Sequence, residues 1–142
     1  ISKIVMAYYA KEDIDHSVNL HKKPTGSGLK GKFECGEING IYYRSSYEKI
    51  FLYLCEKYNI SVESAATKEF RVRYEYNGKK HWYYPDFYLT DFDVVVEIKP
   101  IRLLDYNENP IKIHDGMIKH SFWLVTEEEL EENTFYEHIS SF

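Results

Sequence analysis

Long apolar runs and cysteines are both scarce in this sequence. No apolar stretch approaches the roughly 20 residues that a membrane-spanning helix needs, and the start, ISKIVMAYYAKEDIDH, lacks the pattern of a secretory signal. The two cysteines, Cys35 and Cys55, lie in a Gly-rich stretch and on an apolar helical stripe, which favours a reducing compartment over a disulfide framework. These absences predict an intracellular, cytoplasmic protein without a membrane partner.

The chain also lacks an overall positive charge, since its formal net charge is -5. Six of the 23 acidic residues lie in the last 16 positions, and the other 17 are matched by 18 basic residues. Two stretches are locally basic, HKKPTGSGLKGKF and KEFRVRYEYNGKKHW. Each is either a solvated surface or a phosphate-binding surface, which needs no overall basic charge. Together with Arg44, the candidate phosphate contacts are Lys22, Lys23, Lys30, Lys32, Arg71, Arg73, Lys79 and Lys80.

The length of 142 residues allows one domain with a sizeable core. Five glycines and Pro24 make residues 1–40 a loop-rich, basic N-terminal arm that has room for a short hairpin. Residues 41–142 carry clear helix and strand patterns, so we expect them to form the folded domain.

The patterns within that domain predict an α/β fold. YRSSYEKIFLYLCEKYNI has an apolar stripe at helical spacing, and Ser45 with Glu48 forms a capping box at its start. EFRVRYEY, HWYYPDFYL and DVVVEIKP are predicted to form an antiparallel meander, with Asn77-Gly78 as the first turn. IKIHDGMIKH is compatible with either a short helix or an irregular turn. SFWLVT is predicted to form a buried strand, and EEELEENTFYEHI is predicted to form a helix with an acidic first turn. This order predicts a central mixed β-sheet flanked by helices.

A charged pair interrupts the apolar strand DVVVEIKP. Glu97 and Lys99 lie two residues apart, so they share one face of the strand. If the preceding hairpin turns within TDFD, paired residue numbers sum to about 183 and Asp86 lies opposite Glu97. Two facing carboxylates are destabilising unless a cation lies between them, and oxygen ligands of this kind suit Mg²⁺. Pro85 predicts a bulge or a sheet edge, which opens the site to a substrate.

These motifs resemble the signature of the PD-(D/E)XK nuclease superfamily. Pro85-Asp86 and Glu97-Ile98-Lys99 stand in the motif's positions, with ten residues between Asp86 and Glu97. The upstream YRSSYE is similar to the first motif of TnsA-like transposon-end nucleases and of related phage endonucleases. The resemblance runs from residue 42 to residue 126, because FWLVTEEEL is similar to the closing strand and helix of such domains. It implies a restriction-endonuclease-like core.

The resemblance also implies a function, a magnesium-dependent endonuclease that hydrolyses DNA, with Mn²⁺ as a substitute metal. Glu48, Asp86 and Glu97 would be the acidic residues, Lys99 the catalytic lysine, and the main-chain oxygen of Ile98 a further metal ligand. Double-stranded DNA is the expected substrate, and cleavage of both strands favours a homodimer or a larger assembly. A phage or mobile-element origin would place the protein in the host cytoplasm.

Two other functions stay open. The chain is alternatively a non-catalytic, nuclease-fold protein that binds DNA or has a structural role in an assembly, such as a virion or transposition component. It is alternatively a nuclease that cleaves RNA or branched junctions. Glu48 also has a second interpretation, since a capping box with Ser45 needs no metal.

Other candidate residues have weaker patterns. His16, His21, Cys35 and His81 could form a zinc site, but they lack the CxxC or HxxxH spacing of such sites. Cys55 is expected in the core. Four aromatic residues of HWYYPDFYL, namely Trp82, Tyr83, Tyr84 and Tyr88, either stack on bases or pack in the core, and core packing is favoured. His114 and His120 either touch a substrate or are surface histidines, and the second interpretation is favoured.

Overall fold

The computed structural model describes residues 35–142 of the chain. Within that part, eight β-strands and three α-helices follow one another. The strands are β1 (Gly36–Ile38), β2 (Ile41–Tyr43), β3 (Val62–Ser64), β4 (Val72–Tyr76), β5 (Lys79–Tyr83), β6 (Phe87–Leu89), β7 (Val94–Ile98) and β8 (Phe122–Val125). The helices are α1 (Ser46–Lys57), α2 (Asn109–Lys119) and α3 (Glu132–Ser140), and a 3₁₀ turn at Ile101–Leu103 follows β7.

Four strands form the central sheet in the order β3-β6-β7-β8. β3, β6 and β7 are antiparallel neighbours, whereas β7 and β8 run parallel, so the sheet is mixed. The parallel pair is joined by a crossover that contains α2, as parallel strands require. β1 with β2 and β4 with β5 form two separate hairpins. The predicted architecture of a mixed sheet flanked by helices is confirmed.

Helix α1 begins where its sequence places an N-cap. Ser45 is extended, and its side chain accepts the N–H of Glu48 at 3.1 Å. The apolar stripe of α1 packs on one face of the sheet, beside α3. Phe51 stacks on Phe87 of β6 at a ring-centroid distance of 5.5 Å and meets Phe135 of α3 edge-on at 5.8 Å. An aromatic core therefore holds α1, the sheet and α3 together.

Strand β7 is buried along its whole length because both of its faces are covered. Val94, Val96 and Ile98 point into the core shared with α1 and α3. Side chains alternate along a strand, so Glu97 and Lys99 point to the opposite face. The buried valine run and the charged pair thus belong to two different layers.

Helix α2 and the β4–β5 hairpin cover that opposite face. Leu124, the β8 partner of Glu97, packs against Ile113 of α2. Tyr83 of the hairpin lies in a cluster with Val72 that Phe122 also contacts. The hairpin pairs with no strand of the central sheet within residues 35–142, so side-chain contacts and its short link to β6 hold it there.

The predicted three-stranded meander is wrong. β4 and β5 do pair through the Asn77-Gly78 turn, whose residues both have positive φ. The run HWYYPDFYL then breaks at residues 84–86, and β6 joins β3 and β7 in another sheet. Pro85 has no N–H for a ladder, which explains the break. β3 was not predicted, because its three residues contain one apolar side chain, that of Val62.

The C-terminal helix begins later than predicted. α3 begins at Glu132, so the acidic residues before it do not form its first turn. Glu129 instead accepts the N–H and the O–H of Thr126, at 2.8 and 2.7 Å. Glu131 is the N-cap and accepts two N–H groups of the first turn. The ambiguous segment IKIHDGMIKH is helical in α2, which has a proline in its first turn.

The N-terminal arm is described only from residue 35, and Lys22, Lys23, Lys30 and Lys32 lie outside the described residues. The expected boundary between arm and domain, at residues 40 and 41, falls between the two paired strands of the β1–β2 hairpin. Across residues 35–142, no helix is long and apolar enough to cross a membrane.

Gly116 provides a test of the packing between α2 and β8. A Cβ at this position would lie 2.7 Å from Cε2 of Phe122. Alanine is the better helix former by about 1 kcal/mol, but overpacking of a core typically costs about 1–3 kcal/mol. We expect Gly116→Ala to lower the free energy of unfolding, measured in urea. His114→Ala, on the exposed side of α2, is the control, and equal stability of the two variants would contradict this packing.

Candidate active site

The candidate site lies where β6 begins and β7 ends. The two strands pair in the predicted register, with residue numbers that sum to 183. Continuing that register by one residue puts Asp86 opposite Glu97. The Asp86 carboxylate, rather than a main-chain carbonyl, accepts the N–H of Ile98 at 2.8 Å. This bond orients Asp86 toward the end of β7, directly after the break at Pro85.

Glu97 is enclosed by groups from two directions. It is 4% exposed, and Tyr83 of β5 donates its O–H to Oε1. Nζ of Lys99 lies 3.5 Å from Oε2. This distance exceeds that of a normal N–H···O bond, and burial disfavours the charged form of both groups. The contact of Glu97 with Lys99 is therefore weaker than a full ion pair, and the hairpin closes over the carboxylate.

Glu48 reaches the same site from the first turn of α1. Its Oε1 accepts the N–H of Arg44 at 3.1 Å. The predicted capping box required the N–H of Ser45 instead, so only the serine half of the box forms. Besides burial, the charge of Glu48 raises the pKa of both Asp86 and Glu97. The structure thus brings together the three carboxylates that the sequence had singled out.

The three carboxylates resist ionisation. Burial raises the pKa of Glu97 to about 8 and that of Glu48 to about 7. Burial also raises the pKa of Asp86 well above its usual range, and the charges of Glu97 and Glu48 raise it further. The N–H of Ile98 opposes this rise. The cluster therefore favours protons or a cation over three bare negative charges.

Two buried lysines share this environment. Lys99 is 7% exposed and Lys112 is 6% exposed. Burial, together with the charge of Lys112, lowers the pKa of Lys99 well below its usual range. Burial lowers the pKa of Lys112 to about 7, although the charges of Glu97, Glu108 and Asp86 oppose the fall. A lysine whose pKa is lowered can accept a proton at neutral pH.

Lys112 is a site residue that the sequence did not reveal. The buried positions of α2 are 109, 112, 113 and 116, which follow helical spacing, and Lys112 occupies one of them. Its Nζ lies 5.2 Å from the ring centroid of Tyr83. The available signal was a lysine on the apolar stripe of a helix. It could not be recognised because the sequence did not decide whether IKIHDGMIKH forms a helix or a turn. Tyr83 was considered for packing or stacking, and its O–H contact with Glu97 was missed.

The metal ion that the resemblance implies can be tested against these residues. Across residues 35–142, no three His, Cys, Asp or Glu side chains are already arranged to hold a metal ion. The donor chemistry nevertheless fits Mg²⁺, because Asp86, Glu97 and Glu48 supply hard oxygens whose repulsion a divalent cation relieves. The N–H and C=O of one strand residue point to the same edge, so the Ile98 carbonyl faces the edge where Asp86 lies.

The candidate phosphate contacts lie in different places. The Arg71 and Arg73 guanidinium carbons lie 3.6 and 4.4 Å from the ring centroid of Trp82, on the hairpin. Lys79 and Lys80 are exposed at the hairpin's end. Arg44 lies beside Glu48 instead. A groove of about 460 Å³ between the hairpin and α2 is lined by Val72, Arg73, Trp82, Asp115, Ile118 and Lys119.

The zinc hypothesis gains no support from the described residues. His81 is buried and stacks on Tyr74, with ring centroids 5.3 Å apart. Cys35 is exposed. His16 and His21 lie outside the described residues.

The remaining candidate residues lie in positions that fit a structural role. Cys55 is buried in the α1 core, and burial raises its thiol pKa. Tyr84 is buried, whereas Trp82 and Tyr88 are half-buried. Nε2 of His120 lies 2.9 Å from the Phe70 carbonyl, and His114 is exposed.

The raised carboxyl pKa values make the stability of the metal-free protein depend on pH. Glu97 has an ordinary pKa of 4.5 when unfolded and about 8 when folded, so its stabilising contribution is complete below pH 4.5 and lost by about pH 8. Glu97→Gln removes this loss and keeps an oxygen for Tyr83. In chelator-treated urea unfolding, we expect the variant to gain on the wild type by on the order of 3 kcal/mol from about pH 5 to pH 8.

The control for this experiment is Glu63→Gln, at an exposed position of β3. Lys112 acts in the opposite direction above pH 7, because its lowered pKa makes stability rise with pH. Glu97→Gln removes a charge that opposes this lowering, so the gain is read most directly below pH 7. A stability difference between Glu97→Gln and the wild type that does not change with pH would contradict this account of Glu97.

Comparisons with known proteins leave the site without a reference. No protein-family model, no curated protein and no solved structure matches the chain. The chemistry of the site must therefore be inferred from its own residues.

Proposed function

We propose that this chain is a magnesium-dependent endonuclease that hydrolyses DNA inside the cell, on a restriction-endonuclease-like core. The observation that carries the proposal is the meeting of Asp86, Glu97 and Glu48 with Lys99 in one desolvated cluster. Buried like charges cost stability unless a cation joins them. A cluster of oxygen ligands beside a lysine suits metal-assisted hydrolysis of a phosphodiester.

Asp86 and Glu97 would hold Mg²⁺ together with the Ile98 carbonyl, and Glu48 would bind it directly or through water. When bound, the ion would neutralise charge on the scissile phosphate and lower the pKa of a water molecule. The protein's own contribution is to orient these ligands. The Ile98 N–H fixes Asp86, the Tyr83 O–H fixes Glu97, and both groups are set by the backbone of β5 and β7.

Lys99 is the residue that would act on the attacking water. It projects from β7 on the same face as Glu97 and lies at the same buried end of the strand. Because its pKa is lowered by burial and by Lys112, its amine can take a proton from water near neutral pH. Lys99 would therefore orient and deprotonate the nucleophile.

The β4–β5 hairpin offers a surface for the DNA backbone. Its fold holds Tyr83 over the site while Arg71 and Arg73 lie against Trp82. Stacking on Trp82 restricts the two guanidinium groups, which lowers the entropy lost when they bind phosphate. Such contacts give affinity without sequence readout. The lysines of the N-terminal arm would extend this surface, and a homodimer would allow both strands to be cut.

Purified protein tests this function directly with a panel of substrates. Duplex DNA, single-stranded DNA, a branched junction and RNA are each incubated with Mg²⁺, Mn²⁺, Ca²⁺ or a chelator. We expect cleavage of duplex DNA with Mg²⁺ or Mn²⁺, and binding without cleavage in Ca²⁺, whose larger and looser coordination fits the site poorly. Cleavage of RNA or junctions alone would change the substrate, and no cleavage would indicate a binding or assembly role.

Two site variants should separate catalysis from folding. Asp86→Asn and Lys99→Ala are expected to lower the cleavage rate by about 100-fold or more, because the first removes a negative charge that would hold the metal and the second removes the amine that would take a proton from water. Circular dichroism and urea unfolding should show both variants folded. Asp91→Asn, an exposed change on the same β6–β7 hairpin, is the matched control. Cleavage at the wild-type rate by either site variant would contradict the proposed active site.

The role of Glu48 requires a separate experiment, because either helix capping or metal binding would explain a glutamate at this position. Glu48→Gln keeps an oxygen for the Arg44 N–H and removes the negative charge. We expect an unchanged or higher melting temperature without metal, about a 10-fold lower cleavage rate and a higher magnesium requirement. Ser45→Ala is the control that loses about 1 kcal/mol of capping but keeps cleavage. Normal cleavage by Glu48→Gln at limiting magnesium would exclude Glu48 from the site.

A further inference from the structure

A groove lies between helix α2 and the β4–β5 hairpin, outside the carboxylate cluster. Its volume of about 460 Å³ is within the range of sites that hold small ligands. Val72 and Trp82 line the groove from the hairpin, and Ile118 lines it from α2. Lys119 joins the two walls, because its ammonium group donates to the carbonyl of Arg71. A hydrogen bond within the chain thus ties the two walls together.

The apolar part of the groove includes a residue that the fold leaves in water. Ile118 is 72% exposed, more than any other large apolar side chain within residues 35–142. A single exposed isoleucine is ordinary on a protein surface, but this one lines the same groove as Trp82 and Val72. An indole ring and two aliphatic side chains can cover the flat face of an aromatic ligand. The groove therefore suits a planar ring.

The charged part of the groove is asymmetric. The guanidinium carbons of Arg71 and Arg73 lie 3.6 and 4.4 Å from the centre of the Trp82 ring. A guanidinium group in this position can donate N–H groups to a phosphate and can also stack on a base. Asp115 lines the groove from α2, where its carboxylate repels a phosphate and accepts the N–H donors of a base. A phosphate is thus favoured at the hairpin and a base at α2.

The groove lies beside the proposed active site rather than in it. Trp82 and Tyr83 are consecutive residues of β5, and consecutive side chains of a strand point to opposite faces. Tyr83 points to Glu97, whereas Trp82 lines the groove. One strand of the hairpin separates the two sites, so a nucleic-acid strand that follows the hairpin can contact both.

We propose that this groove binds one unpaired nucleotide of a DNA strand, with its phosphate at Arg73 and its base at Ile118 and Asp115. The nucleotide must be unpaired, because a base inside a duplex has its faces stacked and its pairing edge occupied. Binding of the nucleotide concerns the metal-free protein, whereas its effect on cleavage rests on the proposed nuclease function. In that function, the groove favours substrates with a single-stranded segment beside the cut.

Tryptophan fluorescence tests the site without any metal. The chain has two tryptophans, and the other one, Trp123, is 4% exposed in the core with α1 and α3. Titrations in a chelator compare deoxyadenosine monophosphate, deoxyadenosine, inorganic phosphate and an oligoglutamate peptide. We expect the nucleotide to quench Trp82 saturably and to bind about 5-fold or more tightly than the others, because it alone matches both parts of the groove. Equally tight binding of any other probe, or no saturable change, would overturn the site.

Exposed substitutions test the two parts of the groove separately. Arg73→Gln removes the cation and Ile118→Ala removes the apolar contact, and both variants should fold because both positions are exposed. We expect each variant to bind the nucleotide about 5-fold more weakly. Lys79→Gln and Ile50→Ala are the matched controls, since they make similar changes at exposed positions outside the groove. Wild-type affinity in either groove variant, or an equal loss in its control, would overturn the assignment.

A cleavage assay in Mg²⁺ tests the preference for an unpaired nucleotide. A blunt duplex is compared with the same duplex carrying a short single-stranded overhang, at limiting substrate. We expect the wild type to cleave the second about 5-fold faster, and Ile118→Ala to cleave both at the rate of the blunt duplex. Equal rates for the wild type would overturn the preference. A protein that cleaves neither substrate would instead overturn the nuclease function, and the fluorescence titration would still decide the nucleotide site.

Discussion

The pairing of β6 with β7 brings the carboxylates of Asp86 and Glu97 to facing positions at one end of the sheet. This juxtaposition is imposed by the strands, because a shift of one residue would turn Val96 and its neighbours out of the core shared with α1 and α3. Glu97 therefore cannot leave its face without the loss of the main hydrophobic core. The fold is stable enough elsewhere to hold two carboxylates in an unfavourable position.

The layer formed by α2 and the β4–β5 hairpin determines how strongly the carboxylates repel each other. Had the face of Glu97 been open to water, solvent would have screened the repulsion and left the pKa values near normal. The β4–β5 hairpin and α2 cover that face instead, and both contribute polar groups where they meet it. Tyr83 donates to Glu97, Tyr74 donates to Glu108, and the ammonium group of Lys112 lies near the Tyr83 ring. The cover thus excludes water and replaces it with a few fixed partners.

The sequence was informative wherever one local rule determined the outcome. The alternation of DVVVEIKP, the register with Asp86 and the N-cap at Ser45 depend on neighbours along the chain or on one hairpin, and each was predicted. Lys112 was missed because its burial depends on which face α2 turns toward the sheet. The separation of β5 from β6 was missed because Pro85 permits either an edge strand or a complete break. These outcomes are set by packing between elements that are distant in sequence.

The donors that hold the three carboxylates explain how the site can stay organised without a metal. Asp86 is held by the Ile98 N–H, Glu48 by the Arg44 N–H and Glu97 by the Tyr83 O–H. All three donors are neutral groups, so each orients a carboxylate without cancelling its charge. The side chains would therefore need little rearrangement if a cation took the place of the protons that their raised pKa values favour. Repulsion that protons relieve in the metal-free protein, and that a divalent cation would relieve in its place, is consistent with both the stability and the proposed chemistry of the cluster.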